Sequence, residues 1–319
     1  MGERNSGSHV LHLRIRERRR LAGFGISNPL SDYGSMSRRA AGAPELVRSG
    51  QVKIKSIASE SNSTLKTVRT LHKRQTREKE QLFLLEGPHC LLEALKKDLQ
   101  LKSIVASETY MRAGMEELHQ SDIDSINVVP DKLFADLVTT TSSCGVLAIA
   151  HMPKQERGSF MQWQPRVFAV ADAVQDPGNL GTIIRTALAA QLGGLLILKG
   201  SVDLYNPKVV RAAAGALFSL PILSDIDPQD AVAMLKTAQV RLIICEASGR
   251  KNYFDANLKE PVALALGNEG QGTSAVLRAA ADESVSIPMN PESESLNVAI
   301  SGGIILFESL RQRLNAAKS

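Results

Sequence analysis

The chain has 319 residues, 43% hydrophobic but only 4% aromatic, so a sizeable core is available and it is mainly aliphatic. No stretch reaches the ~18 uncharged apolar residues of a membrane span, so none is expected. Three scattered cysteines, Cys90, Cys144 and Cys245, form no CxxC pair and argue against a disulfide framework. A reducing, cytoplasmic setting is the simpler reading. The net charge of +5 is uneven: residues 1–80 hold 17 Lys and Arg against 7 Asp and Glu, a net of +10, which leaves −5 for the remainder. A basic front on a near-neutral body suits a polyanionic partner, and a solvated basic tail accounts for the charge equally well.

Residues 1–50 carry the cluster RIRERRR, Arg14 to Arg20, among stretches rich in Gly, Ser, Ala and Pro. They are expected to form a poorly ordered basic extension. An RNA-binding arm and a targeting segment both suit this composition. There is no apolar core of a secretory signal, and four acidic residues weigh against a transit peptide while leaving organellar targeting open. Met36 is an alternative start.

From residue 51 to 151 the pattern tightens. Asn62 or Ser63 can cap a helix whose Leu65, Val68 and Leu71 or His72 share a face. Lys66, Arg69, Lys73, Arg74 and Arg77 fall elsewhere around it. LFLLEG, KSIVAS, INVVP and GVLAIA read as strands, HCLLEALKK and DKLFADLVT as helices. Alternation of this kind makes a small α/β domain. Residues 152–165, polar and holding two prolines and Trp163, are a plausible linker.

Residues 166–319 alternate again. RVFAVAD, GLLILKG, RLIICEA, VALALG and ESVSIP read as strands. Helices are expected after Asn179, a candidate cap, then over NPKVVRAAAGAL, TSAVLRAA and the long SLNVAISGGIILFESLRQRL. The expected fold is a largely parallel sheet with helices on both faces, binding ligands beyond the C-terminal strand ends.

All six histidines, at 9, 12, 72, 89, 119 and 151, precede this second part, and Cys245 is its only cysteine. A Ser-His-acid triad and a His/Cys metal site are therefore excluded there. No GxxxxGK[ST] occurs, and GNEGQG is not GxGxxG, so neither a P-loop nor a dinucleotide fold matches. Three segments remain, each following an apolar run: Asp176 to Arg185 (DPGNLGTIIR), Gly267 to Gly270 (GNEG) and Ile287 to Asn297 (IPMNPESESLN). Their glycines permit close backbone approach, and Asn, Glu and Ser add directional hydrogen bonds.

These segments resemble, in order, the three signature motifs of the SpoU/TrmH family of RNA 2'-O-ribose methyltransferases, in the SPOUT superfamily. LFLLEGPHCLLEAL and SSCGVLAIA resemble the L30e-like substrate-binding domain of members that act on large ribosomal RNA. The resemblance covers residue 53 onward. It implies an α/β fold: a small L30e-like domain, then a SPOUT α/β-knot domain with a trefoil knot and a mostly parallel sheet. It also implies S-adenosylmethionine as cofactor, ribosomal RNA as substrate and a homodimer, with no metal and no membrane. A tRNA substrate and a noncatalytic ribosome-assembly protein are the alternatives.

By that resemblance Arg185, Asn179, Glu269, Ser295 and Asn297 form the catalytic set. Arginine stays protonated in proteins, so Arg185 suits holding a phosphate or an emerging 2'-oxyanion better than removing a proton. Glu269 would organise the substrate pocket; its plainer reading is a carboxylate favoured before the helix TSAVLRAA. Leu266, Gly267, Asn268, Gly270, Ile287, Met289 and Leu296 are expected around the cofactor. Pro291 stands where many relatives have glycine. Lys66, Arg69, Lys73, Arg74 and Arg77 are candidate contacts to the RNA backbone.

Overall fold

The computed structural model describes residues 53–113, 125–138, 144–158, 160–293 and 295–317. The expected basic extension over residues 1–50, with Arg14 to Arg20, lies outside them.

Strand β1 (Lys53–Ser56) is followed by helix α1 (Ser63–Leu71). Asn62 is the cap: its side chain accepts from the Thr64 N–H at 2.8 Å. Leu65, Val68 and Leu71 are buried, the 3–4 spacing that a half-buried helix requires. The single helix expected through Arg77 is broken. Lys73 adopts an extended backbone (φ −91°, ψ 130°), and a separate helix α2 (Arg74–Glu80) begins. The break lets the Arg77 side chain turn back on α1 and donate to the Leu71 and His72 carbonyls at 2.8 and 2.9 Å. These are end carbonyls with no helical partner, where a cation is favoured.

The unit continues as β2 (Leu82–Glu86), α3 (Pro88–Lys96), β3 (Leu101–Ser107), α4 (Glu108–Ala113), β4 (Ser125–Val129), α5 (Asp131–Ala135) and β5 (Val146–His151). Its sheet runs β1-β4-β3-β5-β2, parallel at β1–β4 and β3–β4 and antiparallel where β5 meets β3 and β2.

The second unit comprises β6 (Val167–Ala171), α6 (Pro177–Ala189), β7 (Gly194–Leu198), α7 (Pro207–Ala212), β8 (Ile222–Ile226) and α8 (Pro228–Thr237). It then runs through β9 (Arg241–Cys245), β10 (Lys251–Asn252), β11 (Val262–Leu266), α9 (Ala275–Ala280), β12 (Glu283–Ser286) and α10 (Val298–Ala316). The strand order is β10-β12-β9-β11-β6-β7-β8, and every pairing is parallel. Strands β6, β7 and β11 are buried throughout, as strands covered on both faces are. Along β6, Val167, Ala169 and Ala171 join one core and Phe168 and Val170 the other. The strand β8 and helix α8 were not expected from periodicity, although Asp227 caps α8 and Pro228 opens it.

Two glycines set helix spacing around the site. A Cβ on Gly181 of α6 would stand 2.4 Å from the Ala212 Cβ of α7, and one on Gly302 of α10 would stand 2.7 Å from Leu266. Only glycine admits the first approach, which ends on a Cβ and helix backbone; the second ends on the tip of a leucine side chain, which would have to turn aside.

The two units share a polar seam. Arg77 donates Nε to the Asp203 carboxylate at 3.0 Å and a second N–H to the same oxygen. Arg211 pairs with Glu86 at 3.0 Å, and the Phe83 and Tyr205 rings lie 4.7 Å apart. Arg77 is only 2% exposed, which corrects its reading as an RNA contact: a guanidinium spent on two carbonyls and a carboxylate cannot reach a phosphate.

Candidate active site

The three motif segments leave one end of the second sheet. Strands β6 and β11 are neighbours, and β12 is separated from β11 only by β9. Residues 172–176 follow β6, residues 267–274 follow β11, and residues 287–297 follow β12.

Helix α6 starts at Pro177 and is capped by Asp176, whose Oδ1 accepts the Asn179 N–H at 2.8 Å. This corrects the expectation that Asn179 is the cap. Proline at the first helical position places the boundary three residues earlier and frees the Asn179 side chain. That side chain reaches both other motifs. Its Nδ2 donates to Glu269 Oε1 at 2.9 Å, and its Oδ1 accepts from Asn297 Nδ2 at 2.9 Å. Asn297 Oδ1 then caps α10, accepting from the Ala299 and Ile300 N–H groups at 2.9 and 3.2 Å. The other Glu269 oxygen receives the Gln175 N–H at 3.5 Å.

Glu269 is exposed yet well supplied with donors. Burial raises its pKa, but the Asn179 side chain, its own backbone and the Gln175 and Asp176 backbones more than offset that. The carboxyl is held below its ordinary value.

The Gly267–Gly272 loop closes on itself. Asn268 and Gly272 exchange two backbone hydrogen bonds at 2.9 Å. Asn268 Oδ1 accepts from the Gly270 and Gln271 N–H groups, and its Nδ2 donates to the Ala173 carbonyl at 2.8 Å. A Cβ on Gly267 would lie 2.3 Å from the Gly272 backbone, so the turn requires glycine there. A Cβ on Gly270 would meet only Asn268 Oδ1, at 3.6 Å, which leaves open space beside that residue. Buried Asp172 supports the far side of the loop, accepting the Ser274 N–H at 2.6 Å. Sequence reasoning missed Asp172, although an acid at the end of an apolar strand was a readable signal.

Other expected residues divide. Arg185 is exposed on α6 and forms no hydrogen bond or ion pair among the described residues; Ser295 is exposed and equally free among them. Ile287, Met289 and Leu296 are half-buried. Leu266 is 1% exposed: its side chain lies under Gly302 and its carbonyl accepts the Asp172 N–H. Of the basic set, Lys66 and Lys73 are exposed and unpaired among the described residues. Arg69 donates to the Glu60 carbonyl, and Arg74 pairs with Glu78 at 2.6 Å. A cavity of about 750 Å³ lies elsewhere, between the two units, lined by His151, Trp163, Tyr205 and Ile222 among others. No residue of the three motif segments lines it.

The SpoU rRNA Methylase family matches residues 166–307, and an MRM3-like substrate binding domain matches residues 62–148. The 23S rRNA (guanosine(2553)-2'-O)-methyltransferase RlmP of Bacillus subtilis (strain 168) is 33% identical over 255 residues, 80% of this chain and 98% of that protein. The chain belongs to the SpoU rRNA methylase family.

Solved structures agree. The SpoU methyltransferase AviRb from Streptomyces viridochromogenes, in complex with AdoMet, is 26% identical with a TM-score of 0.73, over 79% of this chain and 98% of that one. The AdoMet-bound rRNA methyltransferase from Sinorhizobium meliloti is 28% identical with a TM-score of 0.71, over 81% and 98%. These likenesses bear out the reading of this SpoU protein as an S-adenosylmethionine-dependent RNA 2'-O-ribose methyltransferase with a small substrate-binding domain before a mostly parallel sheet.

Because the folded-state pKa of Glu269 lies below its unfolded value, its stabilising contribution is present above the unfolded pKa. It is lost as pH falls through the folded one. Wild type should therefore resist urea better than Glu269→Gln above the ordinary glutamate pKa of ~4.3, and the gap should narrow as pH falls below it. A gap unchanged on acidification would contradict this account of the carboxylate.

Proposed function

We propose that this SpoU methyltransferase acts on a ribose of large-subunit, 23S-type ribosomal RNA, with Arg185, Asn179, Glu269, Ser295 and Asn297 at the reacting centre. The observation that carries the site is the hydrogen-bonded series Glu269–Asn179–Asn297, which joins the three motif segments while the Arg185 and Ser295 side chains have no partner among the described residues. The substrate class is supported by the MRM3-like domain and by the 23S rRNA activity in the name of the Bacillus relative.

The residues fit S-adenosylmethionine. Half-buried Ile287, Met289 and Leu296 offer an apolar wall to an adenosine, and the space beside Gly270 leaves loop backbone approachable. When bound, the cofactor supplies a methyl group already activated on a sulfonium. The chain then has to align a 2'-oxygen and stabilise the charge growing on it. Arg185 holds the neighbouring phosphate or the oxyanion through paired N–H groups. Ser295 hydrogen-bonds the attacking hydroxyl. Asn179 and Asn297 fix where these groups stand, and exposed Lys66 and Lys73 add RNA affinity that falls with salt.

A homodimer belongs to this reading. Ile300, Phe307 and Leu314 recur every seven residues along α10, on one helical face, and are 57%, 47% and 43% exposed. In light scattering the wild type should run as a dimer and Phe307→Glu as a monomer; a monomeric wild type would refute the dimer.

The catalytic assignment is tested by methyl transfer from labelled S-adenosylmethionine to ribosomal RNA and, separately, to bulk tRNA, both lacking the modification. Arg185→Ala should lower kcat by at least ~100-fold with cofactor affinity retained. Near-normal transfer by the variant would overturn the role, and label confined to tRNA would overturn the substrate.

A further inference from the structure

Residues 199–213 are gripped from both sides. On the first unit's side, Asp203 takes the Arg77 guanidinium, Tyr205 stacks near Phe83 at 4.7 Å, and Arg211 pairs with Glu86 at 3.0 Å. On the motif side, the Val202 N–H donates to the Val174 carbonyl at 2.9 Å, and Ser201 Oγ donates to the Ala171 carbonyl at 3.3 Å. Ala212 abuts Gly181 of α6 so closely that a Cβ on that glycine would lie 2.4 Å away. The next residue after Val174 is Gln175, whose N–H points at Glu269.

Asp203 is itself fixed. Its other oxygen accepts the Tyr205 N–H at 3.1 Å, and its carbonyl accepts the Asn206 N–H at 3.0 Å, which sets the cap of α7. Arg77, 2% exposed, donates to Leu71, His72 and Asp203 and is too deeply buried to reach RNA. Such a buried pair costs desolvation that only full hydrogen bonding offsets, and breaking one side leaves an uncompensated charge.

We propose that Arg77 is a positioning residue for methyl transfer. Through Asp203 it holds segment 199–213 against residues 171–175, so the substrate-binding unit fixes the loop from which Gln175 supports Glu269. It touches neither substrate nor cofactor. Removing it loosens the active-site loop while leaving the exposed lysines of the RNA-binding face in place.

The test is Arg77→Met in the full chain, with Asp203→Asn as a second, isosteric variant should the first not fold. Steady-state methyl transfer to unmodified ribosomal RNA and backbone hydrogen exchange are read well below the melting temperature. We expect kcat to fall about tenfold, KM for RNA to change less than twofold, and the Val202 and Gln175 amides to exchange faster in either variant. A lowered melting temperature with unchanged kcat and unchanged exchange at Val202 and Gln175 overturns the proposal. So does a rise in KM alone, which would make Arg77 part of RNA binding. Wild type that transfers no methyl to RNA would instead refute the functional reading itself.

Discussion

An ionised carboxylate only accepts hydrogen bonds, and this asymmetry orders the site. Glu269 presents an acceptor to Asn179, so the Asn179 amide must turn its NH2 toward it. Its oxygen is then left facing Asn297, which must offer its own NH2. Asn297 in turn has only its oxygen for the first amides of α10, which is what a helix start needs. One charge thus sets the direction of two amides and the entry of the terminal helix. Reversing any member would put donor against donor or acceptor against acceptor and lose the hydrogen bonds that join the loops.

Everything else around the site holds those three side chains within reach. Parallel strands deliver three loops to one sheet end, and Asp176 with Pro177 starts α6 where Asn179 faces inward. Glycines 181 and 267 let helix and loop backbones approach where any Cβ would collide. Arg185 shares a helix with Asn179 but none of its bonds, so positioning and charge stabilisation fall to different residues.

Much of this was legible in the sequence because it depends on local chemistry. Apolar runs as short as VFAVA and VALAL, ended by turn-forming residues, read as strands buried on both faces, and glycine beside Asn and Glu at their ends marks backbone in close quarters. What escaped depends on tertiary partners. Arg77 reads as one more surface cation on a basic helix, and only the extended Lys73 and distant Asp203 make it a buried strut. Leu266 stands in a motif yet belongs to the core, because α10 carries Gly302 above it. Asn179 competed with Asp176 for the cap, and the proline between them decided in favour of the aspartate.

If Glu269 orients the whole series, its loss must be felt at the far end, two side chains away. The direct measurement is hydrogen exchange at the Ala299 and Ile300 amides, which Asn297 caps, in Glu269→Ala against wild type at neutral pH. The account predicts faster exchange at both amides, with the middle of α10 unchanged. Exchange altered near Gln175 but identical at Ala299 and Ile300 would contradict it, and would leave three neighbouring loops with no common anchor.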